Sequence, residues 1–376
     1  MQKKAINILL ISSIIDRTIL QGIYPLLPVL VSNTGATNKQ TGIFMTVIYI
    51  AIFIGSVLTT KALKFNSSII NVVVLVSILL SISLFLMGIQ NSFAVFLVVT
   101  SLVWFLAGIN QNLTSIIMSY ISPAQSVGIN FGKLANTILI GTVIGSFLTG
   151  SLIKWIGQEL TFLIFAIAFF LSKLLLVFIK VTKPQESIKD KQKFKINSQF
   201  IWLMLVLNIG LMLTHIGRFC LSLIMKDKAF NIEEISHIFA WGALFALPLP
   251  YIYGVLSQKI SNKKLLISNL FAILLCMFLL FIGNNWIEYL LISFLISVMI
   301  YCSKGISQKL VYELYPLNQQ SAAQSALATS NWIAAIFGFL WVGFSSDIFS
   351  LPQISLIGFV LALIAIVLGY IKLKSK

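Results

Sequence analysis

Long apolar runs, broken by short polar turns, set the pattern of this chain. Lys64 and Lys133 bracket 68 residues without one charged side chain. A bilayer core needs about 20 apolar residues per helix, so that stretch holds two crossings with a turn at Gln90-Asn91-Ser92. Read in the same way, the whole pattern predicts twelve crossings. Six lie at 5–30, 41–62, 67–89, 93–117, 128–153 and 160–180, and six at 198–223, 233–256, 264–283, 287–311, 319–344 and 351–371. The first is too long for a cleaved signal peptide, and no small-residue cleavage site precedes the second. The charged stretch 181–197 is expected to be a cytoplasmic linker between bundles 1–180 and 198–376. The expected fold is an all-α integral membrane protein of two pseudo-symmetric six-helix bundles.

Composition narrows the classes. Of 376 residues, 59% are hydrophobic and 10% charged, against about 25% charged in a soluble domain. That excludes an ordinary soluble enzyme, a disordered chain and a secreted disulfide scaffold. Cys220, Cys276 and Cys302 stand in apolar runs without CxxC spacing and read as core residues. Two separated histidines make no metal site, and no cofactor is expected. The net charge of +16 comes from dispersed lysines, so nucleic acid is not the expected partner. With the N-terminus inside, 17 lysines fall on inner segments and 4 on outer loops. That asymmetry places both termini in the cytoplasm, in an inner or plasma membrane. Many Ile, Lys and Asn residues beside only two Arg fit a bacterial chain.

The halves repeat. Pro123, Gly145 and Gly150 match Pro316, Gly338 and Gly343 at one offset of 193. Gly55 and Gly254 each open a lysine-bearing turn, and the two arginines, Arg17 and Arg218, precede them by 38 and 36 residues. Duplicated membrane halves are typical of secondary transporters, with the solute site between the halves near the midplane. No P-loop is present for ATP hydrolysis.

Six crossings plus six around a charged loop resemble the major facilitator superfamily over the whole chain. The fifth crossing carries Gly132, Gly141, Gly145 and Gly150, similar to the antiporter motif of a glycine, eight residues and GxxxGPxxGG. Ser146 replaces its proline and Thr149 one glycine. Such glycines clear one helix face for close packing. The segment Gly254 to Lys263, with Gln258 and Lys259, resembles the loop motif GxxxDRxGRR; Gln258 stands where the acid belongs and Ser261 where the glycine belongs. The copy at Gly55 has Thr59 and Ala62 there. The arginine that proton-coupled drug exporters carry four residues before a glycine in the fourth crossing is Trp104 here, before Gly108. Phe245-Ala-Leu-Pro248 and the stretch from Ser321 are similar to sugar-efflux and oligosaccharide-symporter branches.

Charges within crossings are costly and mark functional candidates. Asp16 is the one acid deep in a crossing and the expected proton-coupling group; its structural alternative is a fixed ion pair. Arg17 and Arg218 sit in crossings one and seven, which line the cavity in the family, and a guanidinium binds a carboxylate or phosphate bidentately. Lys304 adds a third cation. Lys133 and Lys173 are expected to snorkel toward the inner face. Asn110, Gln111 and Gln308 offer neutral hydrogen-bonding groups. Tyr24, Tyr301, Trp241 and Trp332 can stack on a ring or pack the core. His215 lies one turn before Arg218. One buried acid against three cations predicts a net positive cavity.

The reading is a secondary active transporter, with no enzymatic activity, for a small polar, anionic solute such as an organic acid, a carboxylate siderophore or a sugar-like metabolite. Proton coupling is expected, efflux is favoured over uptake, and the partners are solute, protons and lipid around a monomer. A multidrug–proton antiporter and a multi-pass membrane enzyme are the alternatives.

Overall fold

A computed structural model of the protein describes residues 2–65, 69–123, 126–179, 196–315 and 317–373. Among these residues the regular structure is helical, with short turns between helices and no strand. The first crossing is α1 (Gln2–Ile23), a single 3-10 turn (Tyr24–Leu26) and α2 (Leu27–Ser32). Pro25 and Pro28 cause that break, since neither has an N–H to donate. Next come α3 (Asn38–Phe65), α4 (Ile69–Gly88), α5 (Phe93–Ile121) and α6 (Val127–Leu174). The second half holds α7 (Ser198–Asp227), α8 (Ile232–Ala246), α9 (Leu249–Leu256), α10 (Asn262–Ile282), α11 (Trp286–Leu314), α12 (Leu317–Ser345) and α13 (Leu351–Lys372). The expected linker 181–197 lies outside the described residues, apart from 196 and 197.

The 48 residues of α6 would span about 72 Å at 1.5 Å per residue, more than twice a bilayer core. Gly157 resolves this. Its φ of 83° and ψ of 166° interrupt the helix in a conformation open to glycine, so α6 makes two crossings. Among the described residues ten helical stretches are long and apolar enough to cross a membrane, α6 being one. Its two crossings, and the shorter apolar helix Thr329–Ser345, bring the total to the twelve expected. Exposed Leu75, Val98, Leu160 and Val367 form the apolar exterior that a bilayer covers.

Two compact units divide the chain. One holds Met1–Ala36, Val47–Ser187 and Asn231–Ala240; the other holds Thr37–Thr46, Ile188–Phe230 and Trp241–Lys376. The short exchanged segments are the starts of α3 and α8.

In the first unit α1 lies along α6, and α4 packs on α5 and α6. A Cβ at Gly145 would meet the Thr18 carbonyl, one at Gly141 the Arg17 backbone, and one at Gly22 the Gly145 carbonyl. Gly55 and Gly108 pack α3 on α5 in the same way, against the carbonyls of Phe105 and Ile52. Gly150 receives the start of α8 at Glu233 and Ser236, and Ser236 Oγ donates to the Ser146 carbonyl. Lys154 forms an ion pair with Glu233 beside this contact.

In the second unit α7 packs on α10, α11, α12 and α13. Gly338 lies against the Met212 carbonyl of α7, and Gly343 against Gly42 of α3. Lys39 pairs with Asp347 at 2.5 Å and lies 5.4 Å from the Phe344 ring centroid. The sequence repeat is therefore a structural one. The contact of Gly145 with α1 answers that of Gly338 with α7, and the contact of Gly150 with α8 answers that of Gly343 with α3. Four residues beyond Gly150 stands a lysine, and four beyond Gly343 an aspartate, so the two ion pairs have opposite polarity.

Candidate functional site

The deep charges of the first unit gather where α1, α5 and α6 meet. Asp16 is 4% exposed. Its Oδ2 accepts from Lys173 Nζ and from Asn110 Nδ2, the latter at 3.0 Å, and its Oδ1 accepts from Ser172 Oγ at 3.3 Å. A buried carboxylate needs this set, because an ion out of water must be paired and hydrogen-bonded. Lys173 is 1% exposed, with Nζ 5.4 Å from the Phe169 ring centroid. This corrects the expectation that Lys173 snorkels to the inner face: the Asp16 carboxylate holds it inside. Lys133 is exposed.

Arg17 follows Asp16 but points elsewhere, as residues about 100° apart on a helix must. It is half-buried. Its Nη1 donates to Gln111 Oε1 at 3.4 Å, a long and weak bond. Asn110 and Gln111, adjacent on α5, thus divide their roles between the carboxylate and the guanidinium. Since Lys173 neutralises Asp16, the local excess charge of this cluster is that of Arg17. Above it on the first crossing, buried Tyr24 accepts a 2.7 Å hydrogen bond from Tyr49.

The remaining candidates lie in the second unit. His215 is buried, 5.6 Å from Phe339 between ring centroids. Arg218, one turn on, is half-buried, as are Tyr301 and Trp332; Lys304 and Gln308 are exposed. Trp241 is partly exposed and stacks on Phe245 at 5.9 Å.

The motif residues separate. Gly141, Gly145 and Gly150 make the close contacts above, whereas a side chain at Gly132 would meet nothing within 4 Å. Gly55 is tightly packed, while Gly254 is open. In the second copy of the loop motif Gln258 and Lys259 are exposed. The segment is held instead from α11: Lys309 Nζ donates to the Ser257 carbonyl at 2.6 Å, and Asn262 Nδ2 donates to Glu313 Oε1 at 2.5 Å. Lys309 and Glu313 stand four residues apart, on one face of that helix. The side chains of Lys61 and Lys64, in the first copy, lie outside the described residues. Among the described residues no group of three or more His, Cys, Asp or Glu side chains is placed to hold a metal.

The sequence profile of the Major Facilitator Superfamily matches residues 8–223 and 207–376. The chain belongs to this family of membrane transporters. No curated protein matches the chain as a relative. Solved structures share its fold. A point mutant of the nucleoside transporter NupG aligns with a TM-score of 0.81 at 14% identity, over 98% of this chain and 100% of that one. A point mutant of a POT peptide transporter, solved in complex with sulfate, gives 0.79 at 14%, over 98% and 93%. The human organic anion transporter MFSD10 (TETRAN) gives 0.68 at 16%, over 98% and 99%.

Proposed function

We propose that this transporter moves a small polar, anionic solute by alternating access, coupled to protons, with export favoured over uptake. The observation that carries the reading is the charge balance beside Arg17. Asp16 is neutralised by Lys173, and the half-buried guanidinium has one long bond to Gln111. A planar fork with donors to spare suits a carboxylate or phosphate. The named substrates of the structural neighbours, nucleosides, peptides and organic anions among them, differ too widely for fold to choose, so the choice rests on Arg17. Arg218 and Lys304 are proposed as further cations of the solute path, with Tyr301, Trp241, Trp332 and His215 shaping it.

Asp16 is proposed as the proton-coupling group. A proton on its carboxylate removes the attraction that holds Lys173, loosening α1 from the end of α6. The export direction rests on the glycine pattern of the fifth crossing. The lysine asymmetry supports termini in the cytoplasm, and a monomer in a bacterial plasma membrane completes the proposal.

Thermal stabilisation of the purified protein tests the reading, since a ligand that binds only the folded state raises the melting temperature. The panel holds organic acids, carboxylate siderophores, neutral sugars and lipophilic cations. Stabilisation by an anion that disappears in Arg17→Gln is expected. Stabilisation by lipophilic cations alone overturns the anion assignment.

A further inference from the structure

Two cationic side chains of the second unit, Lys263 and Lys372, stand at the end of α13. Lys263, second residue of α10, is half-buried. Its Nζ donates to the Tyr370 carbonyl at 2.7 Å and lies 5.4 Å from that tyrosine's ring centroid. Lys372, last residue of α13, carries its Nζ 5.3 Å from the ring centroid of Trp202 on α7. Gln199, at the start of α7, donates to the Lys372 carbonyl at 3.1 Å. Two ammonium groups thus flank the last turn of α13, between the starts of α7 and α10. Tyr370, beside Lys263, is exposed, and so are Ile371 and Ile201, the residues that precede Lys372 and Trp202 in the chain.

Depth and charge identify what this pair of cations takes. The 22 residues of α13 span about 33 Å, one bilayer core, so its last turn reaches the headgroup layer. Trp and Tyr collect at that level because one part of each ring system is apolar and the other wet. Neither Lys263 nor Lys372 joins any of the three ion pairs found among the described residues. Glu313 is engaged by Asn262. The C-terminus of α13 contributes about −0.5 charge, which two ammonium groups outweigh. Capping that helix end uses one of the three donors of Lys263 and none of Lys372.

We infer that Lys263 and Lys372, with Trp202 and Tyr370, bind the phosphate headgroup of an anionic phospholipid, whose acyl chains run along Ile201 and Ile371. A soluble phosphate gains nothing from exposed aliphatic and aromatic surface beside the charges; a lipid covers it. Each lysine near an anionic headgroup strengthens binding about five-fold.

The experiment measures melting temperature and lipid adducts, by native mass spectrometry, for the full chain in detergent. Added probes are phosphatidylglycerol, phosphatidylcholine or inorganic phosphate. Wild type should be stabilised by phosphatidylglycerol above phosphatidylcholine and retain phosphatidylglycerol adducts. The double variant Lys263→Gln with Lys372→Gln should lose roughly thirty-fold in that selectivity, and Lys263→Arg with Lys372→Arg should keep most of it, showing that the site folds. Lys3→Gln with Lys4→Gln removes the same charge from exposed positions of the other unit and should leave the selectivity intact. Equal loss in that control reduces the effect to diffuse charge and overturns the site. Stabilisation by inorganic phosphate matching that by phosphatidylglycerol overturns the lipid assignment, and so does equal stabilisation by the two lipids.

Discussion

Asp16 on α1 and Lys173 on α6 form an ion pair with both side chains buried, 157 residues apart in sequence. Removing one member of such a pair leaves the other charge stranded, at a cost of about 3–5 kcal/mol. Asp16→Asn and Lys173→Met should each lower the melting temperature markedly. The double variant should recover much of the loss, since it buries no unpaired charge. A thermal double-variant cycle measures the coupling; additive losses would show that the two side chains do not depend on one another.

The same pair shows what was legible in the sequence. The twelve crossings follow from hydrophobic run length, and the contacts of Gly141 and Gly145 with α1 from their spacing of four residues on one helix face, because both are local properties. Gly150, nine residues beyond Gly141, faces the opposite side and meets α8 instead of sharing that face as expected. Helical periodicity says which residues share a face but not which helix stands opposite. Asp16 was therefore recognisable as a buried acid in need of a partner, and Lys173 was not recognisable as that partner. One signal was available: an isolated acid within the membrane requires a counter-charge, and Arg17 diverges from it by about 100°. That leaves the other bases within crossings, Lys133, Lys173, Arg218 and Lys304, as a short set of candidates. The openness of Gly254 beside the tight packing of Gly55 was also beyond reading, since both open similar loop sequences.

Glycine contacts on α6 make a graded series. Gly145 has the Thr18 carbonyl where a Cβ would go, and the backbone of α1 would have to move. Gly132 has open space. Gly145→Val should therefore abolish folding or cost several kcal/mol, in the range of severe overpacking. Gly132→Ala should be neutral or stabilise by up to about 1 kcal/mol, as glycine is a poor helix former. Melting curves in one detergent decide the order, and equal losses at both positions would refute the close contact at Gly145.

The two ion pairs of reversed polarity permit a swap. Lys154→Glu places two carboxylates side by side at the Glu233 contact, and Glu233→Lys places two ammonium groups there. Either single variant should weaken the docking of α8 against α6. The exchanged pair, Lys154→Glu with Glu233→Lys, should restore it, because it copies the polarity of Lys39 and Asp347 in the other unit. Crosslinking between cysteines introduced at exposed positions on α6 and α8 reports the docking. No recovery in the double variant would mean that the local geometry, and not charge pairing, holds the contact.

Arg17 and Asp16 separate binding from coupling. Arg17→Gln removes the charge and the fork but keeps a hydrogen-bonding amide near Gln111. It should weaken binding of an anionic solute by about ten- to a hundredfold, in keeping with about 1.5–3 kcal/mol for a hydrogen bond to a charged group. Asp16→Asn keeps the hydrogen bond to Asn110 possible and leaves Arg17 in place, so equilibrium binding should persist wherever the variant folds. Uphill transport driven by a proton gradient should be lost, while downhill exchange of the solute continues. Proteoliposomes with and without an imposed pH gradient read both activities in one preparation. Gradient-driven accumulation at the wild-type rate in Asp16→Asn would remove Asp16 from the coupling step, whereas unchanged anion affinity in Arg17→Gln would remove the guanidinium from the solute site.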